Sequence, residues 1–216
     1  MAKMSFGINE NNTKITCAIP EKRRLHDLEN RRLYLYGEIL DIDSEEEAMA
    51  FASKTGEIVE CIFDYNREDQ GKDIESRKPI KIYINSPGGN QNEGFALVDA
   101  ILLSKTPIHT INVGQWSSMS FLIGITGHRR FSFPNATFLL HDGSSGAFGS
   151  SNKVQDRVKF EERFENEVVK AHVLSHSNMK SADYDALARV EYYLLPNDAL
   201  ERGFIDEIVT DIDAIL

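Results

Sequence analysis

The chain has 216 residues and a mass of 24.4 kDa, enough for one domain with a full hydrophobic core. Its 41% apolar and 27% charged residues exclude a disordered polymer. The net charge of −10 argues against a nucleic-acid partner or an anionic membrane surface, both of which need a basic footprint.

Residues 1 to about 30 are polar and weakly patterned and read as an N-terminal arm or loop, with residues 31–216 as one folded domain. The opening stretch has no apolar run of signal-peptide length, and no later run is long enough to span a bilayer. Arg32 to Gly37 alternates and predicts a strand. Ser44 followed by Glu47 is a capping-box signature for a helix that places Ala48, Phe51, Ala52, Ile58, Val59 and Ile62 on one face. Asp64 to Lys78 reads as a charged loop, Pro79 to Ile84 as a second strand, and Ser86-Pro87-Gly88-Gly89 as a tight turn. Phe95, Val98, Ile101 and Leu102 mark the next helix. Strands alternating with helices in this order imply parallel crossovers and an α/β fold.

Ile108 to Val113 predicts a strand and Gly114-Gln115 a turn, after which the apolar run Met119 to Ile125 starts a helix. Thr137 to Leu140 predicts a further strand. Asp142 to Ser151 is glycine- and serine-rich, either a flexible loop or an extended segment that pairs with something else. Asn152 to about Ser175 predicts a long amphipathic helix with Val154, Val158, Phe164, Val168 and Ala171 on one stripe, long enough to project toward another subunit. A short helix, Ala182 to Val190, and an apolar run, Phe204 to Val209, close the chain.

The two cysteines, Cys17 and Cys61, form no metal spacing and no disulfide framework, so a reducing, cytoplasmic setting is expected. Cys61 reads as a small packing residue. His172 and His176 stand four apart on the long helix without a third ligand nearby and read as a solvated face, so no metal and no cofactor is expected. Trp116 reads as a packing residue.

Ser118 stands out. It sits where a strand passes into a helix, at a corner whose backbone N–H groups are unpaired and able to receive negative charge. A serine there needs a base and an oxyanion hole. His141, at the end of an apolar strand, supplies a candidate base, although a lone histidine in that position more often serves structure. The N–H groups of Met119 and Gly89 are candidate donors, and glycine at 88 and 89 lets a substrate approach the backbone closely. Pro-Gly-Gly by itself is ordinary turn chemistry.

In order along the chain, IYINSPGG (Ile82 to Gly89), GQWSSMSF (Gly114 to Phe121), RRFSFPNATFLLH (Arg129 to His141) and ALERGFID (Ala199 to Asp206) resemble the proteolytic subunit of the Clp protease, ClpP. The resemblance extends from Arg32 to Val209. It implies the ClpP/crotonase-like α/β fold of repeated βαβ units, with a glycine-rich handle strand and a long handle helix over about 143–176. It further implies an endopeptidase with Ser118 as nucleophile, His141 as base, Gly89 and Met119 as oxyanion donors, Gly88 beside the substrate, and Glu191 in the place of the family's catalytic aspartate. Unfolded or short peptides as substrates, a homo-oligomeric ring of stacked heptamers and an AAA+ unfoldase partner are implied in the same way.

The chain also departs from the family. Glu191 is one methylene longer than aspartate, Trp116 replaces a small residue, Ser120 replaces a glycine, and Asp142-Gly143 replaces the usual Gln-Pro after the histidine. These departures leave two alternatives open: a catalytically silent ring subunit, and a phage-type capsid maturation protease.

Overall fold

A computed structural model describes residues 21–39, 54–143, 146, 148–187 and 190–216. Helix α1 (Glu21–Glu29) precedes strand β1 (Arg32–Tyr36). Three crossovers follow, in which each helix leads to a strand parallel to the last: α2 (Lys54–Glu68) to β2 (Ile80–Ser86), α3 (Gln91–Leu103) to β3 (Ile108–Ser117), and α4 (Met119–Ile125) to β4 (Arg129–Ser132). Then come β5 (Thr137–Leu140), the long helical arm, α7 (Ser181–Leu187), β6 (Tyr192–Leu194), α8 (Pro196–Glu201) and β7 (Glu207–Ile208). The predicted α/β class holds. The seven-stranded sheet runs β1-β2-β3-β4-β7, with β5 beside β3 and β6 antiparallel to β5.

The sheet is covered on both faces, as parallel sheets require. Alternation along the strands divides the core. Ile82, Ile84 and Ile108 point into a large cluster shared with Ile58 and Ile62 of α2, Leu97 and Ile101 of α3, and Phe121 of α4. Tyr83, Ile111, Phe131, Val209 and Ile215 form a smaller cluster on the opposite face, where the Tyr83 hydroxyl donates to the Ile215 carbonyl at 2.6 Å.

Several local readings change. Within the expected N-terminal arm, Glu21–Glu29 is helical; Leu28 packs on the core and its carbonyl accepts the Tyr65 hydroxyl at 2.8 Å. Ser44, Glu47, Ala48, Phe51 and Ala52 lie outside the described residues, whereas Ile58 and Ile62 are buried as expected. The charged loop expected over Asp64 to Lys78 begins later, because α2 continues to Glu68. Ile58, Ile62, Tyr65 and Asp69 are all buried at helical spacing, so the charged letters conceal an inward face.

Asp69 is fully buried and paired. Its carboxylate accepts from Arg31 Nη1 at 2.5 Å and Nη2 at 2.9 Å, from Lys72 Nζ at 2.8 Å and from Thr106 Oγ1 at 3.0 Å. Arg31 also donates to the Lys78 carbonyl at 2.8 Å. One bidentate pair thus joins the start of β1, the end of α2 and the segment leading into β3. Arg31 itself adopts a left-handed φ of 54° to reach it.

The long arm is continuous but not uniform. Helix α5 (Ser151–Phe164) passes through a π-helical turn, Glu165–Val169, into α6 (Lys170–Ser175). The extra residue of a π turn rotates the faces that follow it. Val169, His172 and Val173 are therefore buried, while Val168 and Ala171 of the predicted stripe are exposed. Helix α5 buries no residue, although Phe164 at its end packs partly against the core beside Phe95. Among the described residues of 142–150 none lies in a strand.

His172 does not sit on a solvated face. It is buried, with Nε2 3.0 Å from Thr126 Oγ1 and 3.1 Å from the Leu122 carbonyl, and burial pushes its pKa down to about 4. Among the described residues no group of three or more histidine, cysteine or acidic side chains could hold a metal, and no helix is long and apolar enough to cross a membrane.

Hydrogen bonding from Arg31 holds the Asp69 carboxyl well below the usual carboxylate range. A depressed folded-state pKa means that the pair's stabilisation is present above the unfolded carboxylate pKa, about 4, and is lost as pH falls below it. Asp69→Asn, which leaves the buried Arg31 charge only the exposed Glu68 carboxylate, 3.2 Å from Nη2, as counter-ion, is expected to cost about 3 kcal/mol in urea unfolding at pH 7, with a smaller difference from the unsubstituted chain at pH 3.

Candidate active site

Strand β3 does not end at Val113 and turn at Gly114, as its sequence reads. It runs on to Ser117. The registers Ile84↔Asn112 and Ser86↔Trp116 show β3 bulging between these points. Gly114 makes the bulge, since a Cβ there would lie 2.5 Å from Asn85 Oδ1. The bulge redirects the strand. His109 to Asn112 pair with β4, whereas Gln115 to Ser117 pair with β5. The Asn112 amide bridges the change, donating to the Thr137 carbonyl at 3.0 Å.

Ser118 lies at the resulting corner with φ 55° and ψ −126°, a conformation costly for any residue with a Cβ, on the order of 1–3 kcal/mol. Its N–H donates to the Leu139 carbonyl at 2.9 Å and its carbonyl accepts the Phe121 N–H at 3.0 Å. Its hydroxyl makes no capping bond to α4, so the helix start keeps its unpaired N–H groups, Met119's first. The Met119 side chain fits against α3 where Gly94 leaves room, since a Cβ at 94 would meet Met119 Cγ at 2.1 Å.

The glycine turn after β2 is pressed against this corner. A Cβ on Gly88 would lie 2.6 Å from the Ser117 carbonyl oxygen and 2.7 Å from Ser118 Cβ. A Cβ on Gly89 would lie 2.0 Å from the Ile39 carbonyl oxygen. Both glycines have positive φ, 98° and 139°. Gly88 N–H donates to Ser86 Oγ at 3.1 Å, and the Gly88 carbonyl accepts the Ile39 N–H at 2.8 Å. The Gly89 N–H has no acceptor among the described residues.

His141 follows β5 directly. The antiparallel register Leu139↔Tyr193, Leu140↔Tyr192, continued one step, sets His141 opposite Glu191. The strand ends therefore line up in the order Gly88-Gly89 after β2, Ser118 after β3, His141 after β5 and Glu191 before β6. They are not joined by hydrogen bonds. His141 Nε2 is buried without a partner, and the Glu191 carboxylate accepts the Tyr193 hydroxyl at 2.6 Å.

One support escaped the sequence reading, and a second, Trp116, is the packing residue expected. Ser120 is fully buried and bonded to both the elbow and the end of β2. Its replacement of a family glycine was the only signal. Trp116 is fully buried, edge-on to Phe138 with ring centroids 5.5 Å apart. Gly124 of α4 accommodates it, since a Cβ there would lie 2.3 Å from the indole. The large residue and the glycine form a matched pair, separated in sequence by nearly the whole helix.

A largely parallel sheet flanked by helices, carrying a strained serine at a strand-to-helix corner with a glycine turn on one side and a histidine on the other, defines the class of this domain. The family model described as Clp protease matches residues 72–211, and the chain belongs to the Clp protease family. A Streptococcus gordonii protein described as ATP-dependent Clp protease proteolytic subunit is 29% identical over 140 residues, covering 63% of this chain and 71% of that one.

Gly124→Ala should destabilise the chain by about 1–3 kcal/mol through overpacking against Trp116. In a Trp116→Leu background the further cost of Gly124→Ala should fall by at least about half, as measured by a urea-denaturation double-mutant cycle.

Proposed function

We propose that this chain is a serine endopeptidase subunit of the Clp type, in which Ser118 attacks the peptide carbonyl carbon. His141 Nε2 takes the hydroxyl proton and returns it to the leaving amine as the C–N bond breaks. The N–H groups of Gly89 and Met119 donate to the oxyanion. A water, deprotonated by His141, then attacks the acyl-enzyme carbonyl, and His141 returns that proton to Ser118 Oγ as the ester bond breaks. Glu191 accepts from the imidazole N–H of His141 and orients it, and Gly88 gives the peptide close access to the backbone.

The observation that carries this reading is the strand register, which brings Gly89, Ser118, His141 and Glu191 to one edge of four neighbouring strands. The strained φ of Ser118 supports it, because such strain concentrates at functional sites. The Gly88 N–H is bonded to Ser86 Oγ and its carbonyl to the Ile39 N–H, whereas the Gly89 N–H has no acceptor among the described residues, which supports Gly89 as the donor. The triad would close by rotations of the His141 and Glu191 side chains, since catalytic hydrogen bonds often tighten only in the working complex.

The working assembly in this proposal is a homo-oligomeric ring, of stacked heptamers, that takes unfolded or short peptides and works with an AAA+ unfoldase. Residues 31–216 form the peptidase domain, and the arm over about 143–176, with α5 bare of buried residues, is the handle that meets the facing ring.

A second reading is a catalytically silent subunit, and one observation favours it: Tyr193, not His141, holds the Glu191 carboxylate. A fluorophosphonate probe separates the two. Labelling of the unsubstituted chain and none of Ser118→Ala is expected; equal labelling of both, or of neither, overturns the peptidase reading. His141→Ala should lower kcat on a short peptide by about 10³-fold or more, and Glu191→Ala by about 10²-fold or more, relative to the intact chain. Full activity of Glu191→Ala would remove Glu191 from the triad while leaving Ser118 and His141 in place.

A further inference from the structure

Ser120 is the second residue of α4 and fully buried, yet it is polar and its hydroxyl faces backbone on three sides. Its oxygen lies 2.6 Å from the Ser86 carbonyl and 2.8 Å from the Ser117 carbonyl, which share its proton, and it accepts the Ser117 N–H at 2.9 Å. Ser86 and Ser117 end β2 and β3, where these strands are paired at Ser86↔Trp116 beyond the bulge. A hydroxyl therefore stands in for a rung of the sheet at the point where the ladder stops.

The consequences run in both directions from Ser86. The Ser86 hydroxyl accepts the Gly88 N–H at 3.1 Å and so sets the turn that aims Gly89. On the other side, Ser117 precedes Ser118, whose left-handed conformation aims Met119 N–H. One side chain connects the two peptide segments that carry the two donors. We infer that Ser120 is a positioning residue: its hydroxyl fixes the glycine turn after β2 against the serine elbow after β3, and so sets the separation of the Gly89 and Met119 N–H groups. The inference deepens the peptidase reading and rests on it for its catalytic readout.

The Ser117 N–H and the Ser86 and Ser117 carbonyls all bond this one hydroxyl in a buried setting, and a buried polar group that loses a partner is costly. Without the hydroxyl the two segments relax apart or admit water, and an oxyanion hole tolerates little displacement.

Ser120→Ala and Ser120→Gly, each in the full chain, are compared with the unsubstituted protein. Both should lower the second-order rate of fluorophosphonate labelling and the kcat on a short peptide by about ten- to a hundredfold. KM should stay within about twofold, because the contact serves the oxyanion and not peptide binding. The amide of Ser117 should exchange with solvent at least about tenfold faster in Ser120→Ala, with the amides of Ile108 to Asn112 unchanged. Labelling at the unsubstituted rate, or a loss that falls on KM, overturns the positioning role. So does loss of cooperative unfolding in both variants, which would make the hydroxyl part of the scaffold. If the unsubstituted chain shows no Ser118-dependent labelling, the peptidase reading has failed, and the Ser117 amide decides the clamp by itself: unchanged exchange overturns it.

Discussion

The contact on which the site depends is one of backbone against backbone. The turn at Gly88 lies so close to the Ser117 carbonyl and Ser118 that no Cβ fits between them. That approach constrains everything around it. It demands glycine at 88, with a second at 89 against the Ile39 carbonyl, and it holds Ser118 in a left-handed conformation that a free peptide would leave at once. Strain of this kind persists only where the surroundings over-determine it. Here those surroundings are the Leu139 carbonyl on the Ser118 N–H, the Phe121 N–H on its carbonyl, and the Ser120 hydroxyl beneath.

Strand β3 brings these pieces together because it changes partner along its length. A regular parallel strand would keep β4 as its neighbour and leave β5 elsewhere. The bulge at Gly114 lets the last residues of β3 pair with β5, whose end carries His141, and β6 then adds Glu191 from the opposite direction. Membership of the Clp protease family is consistent with this arrangement. Trp116 and Gly124 fit one another: a large indole occupies the core beneath the elbow because the facing helix carries no side chain at 124.

The rest of the molecule supplies rigidity at a distance from the chemistry. The Arg31–Asp69 pair locks β1, α2 and the approach to β3. At the far edge, the Arg130 guanidinium reaches the Asp206 carboxylate at 2.6 Å and the carbonyls of His176 and Gly203 at 2.8 Å, so β4, the end of the long arm and the final motif meet at one side chain. Both arginines convert a planar fork of donors into a junction between segments. Along the long arm the buried residues begin at the π turn, with Val169, and none lies in α5.

Much of this was legible in the letters. Alternating strands and helices, the Ser-Pro-Gly-Gly turn, the serine at a strand-to-helix corner and the histidine after an apolar strand are local patterns, and short-range sterics and periodicity determine them. What the sequence alone could not decide depends on groups far apart in the chain. The inward face of α2 near Tyr65 and Asp69 is hidden among charges until Arg31 pairs with it. The displaced stripe of the long arm follows from a π turn that leaves no signature in hydrophobic spacing. The bulge that extends β3 past Gly114 needs Asn85 opposite it, and the Ser120 clamp needs the end of β2 beside the start of α4. Local pattern determined which elements form and which residue types end them; only the tertiary structure decided which strand ends meet, because that depends on backbone approach and buried hydrogen bonds between residues with no proximity in sequence.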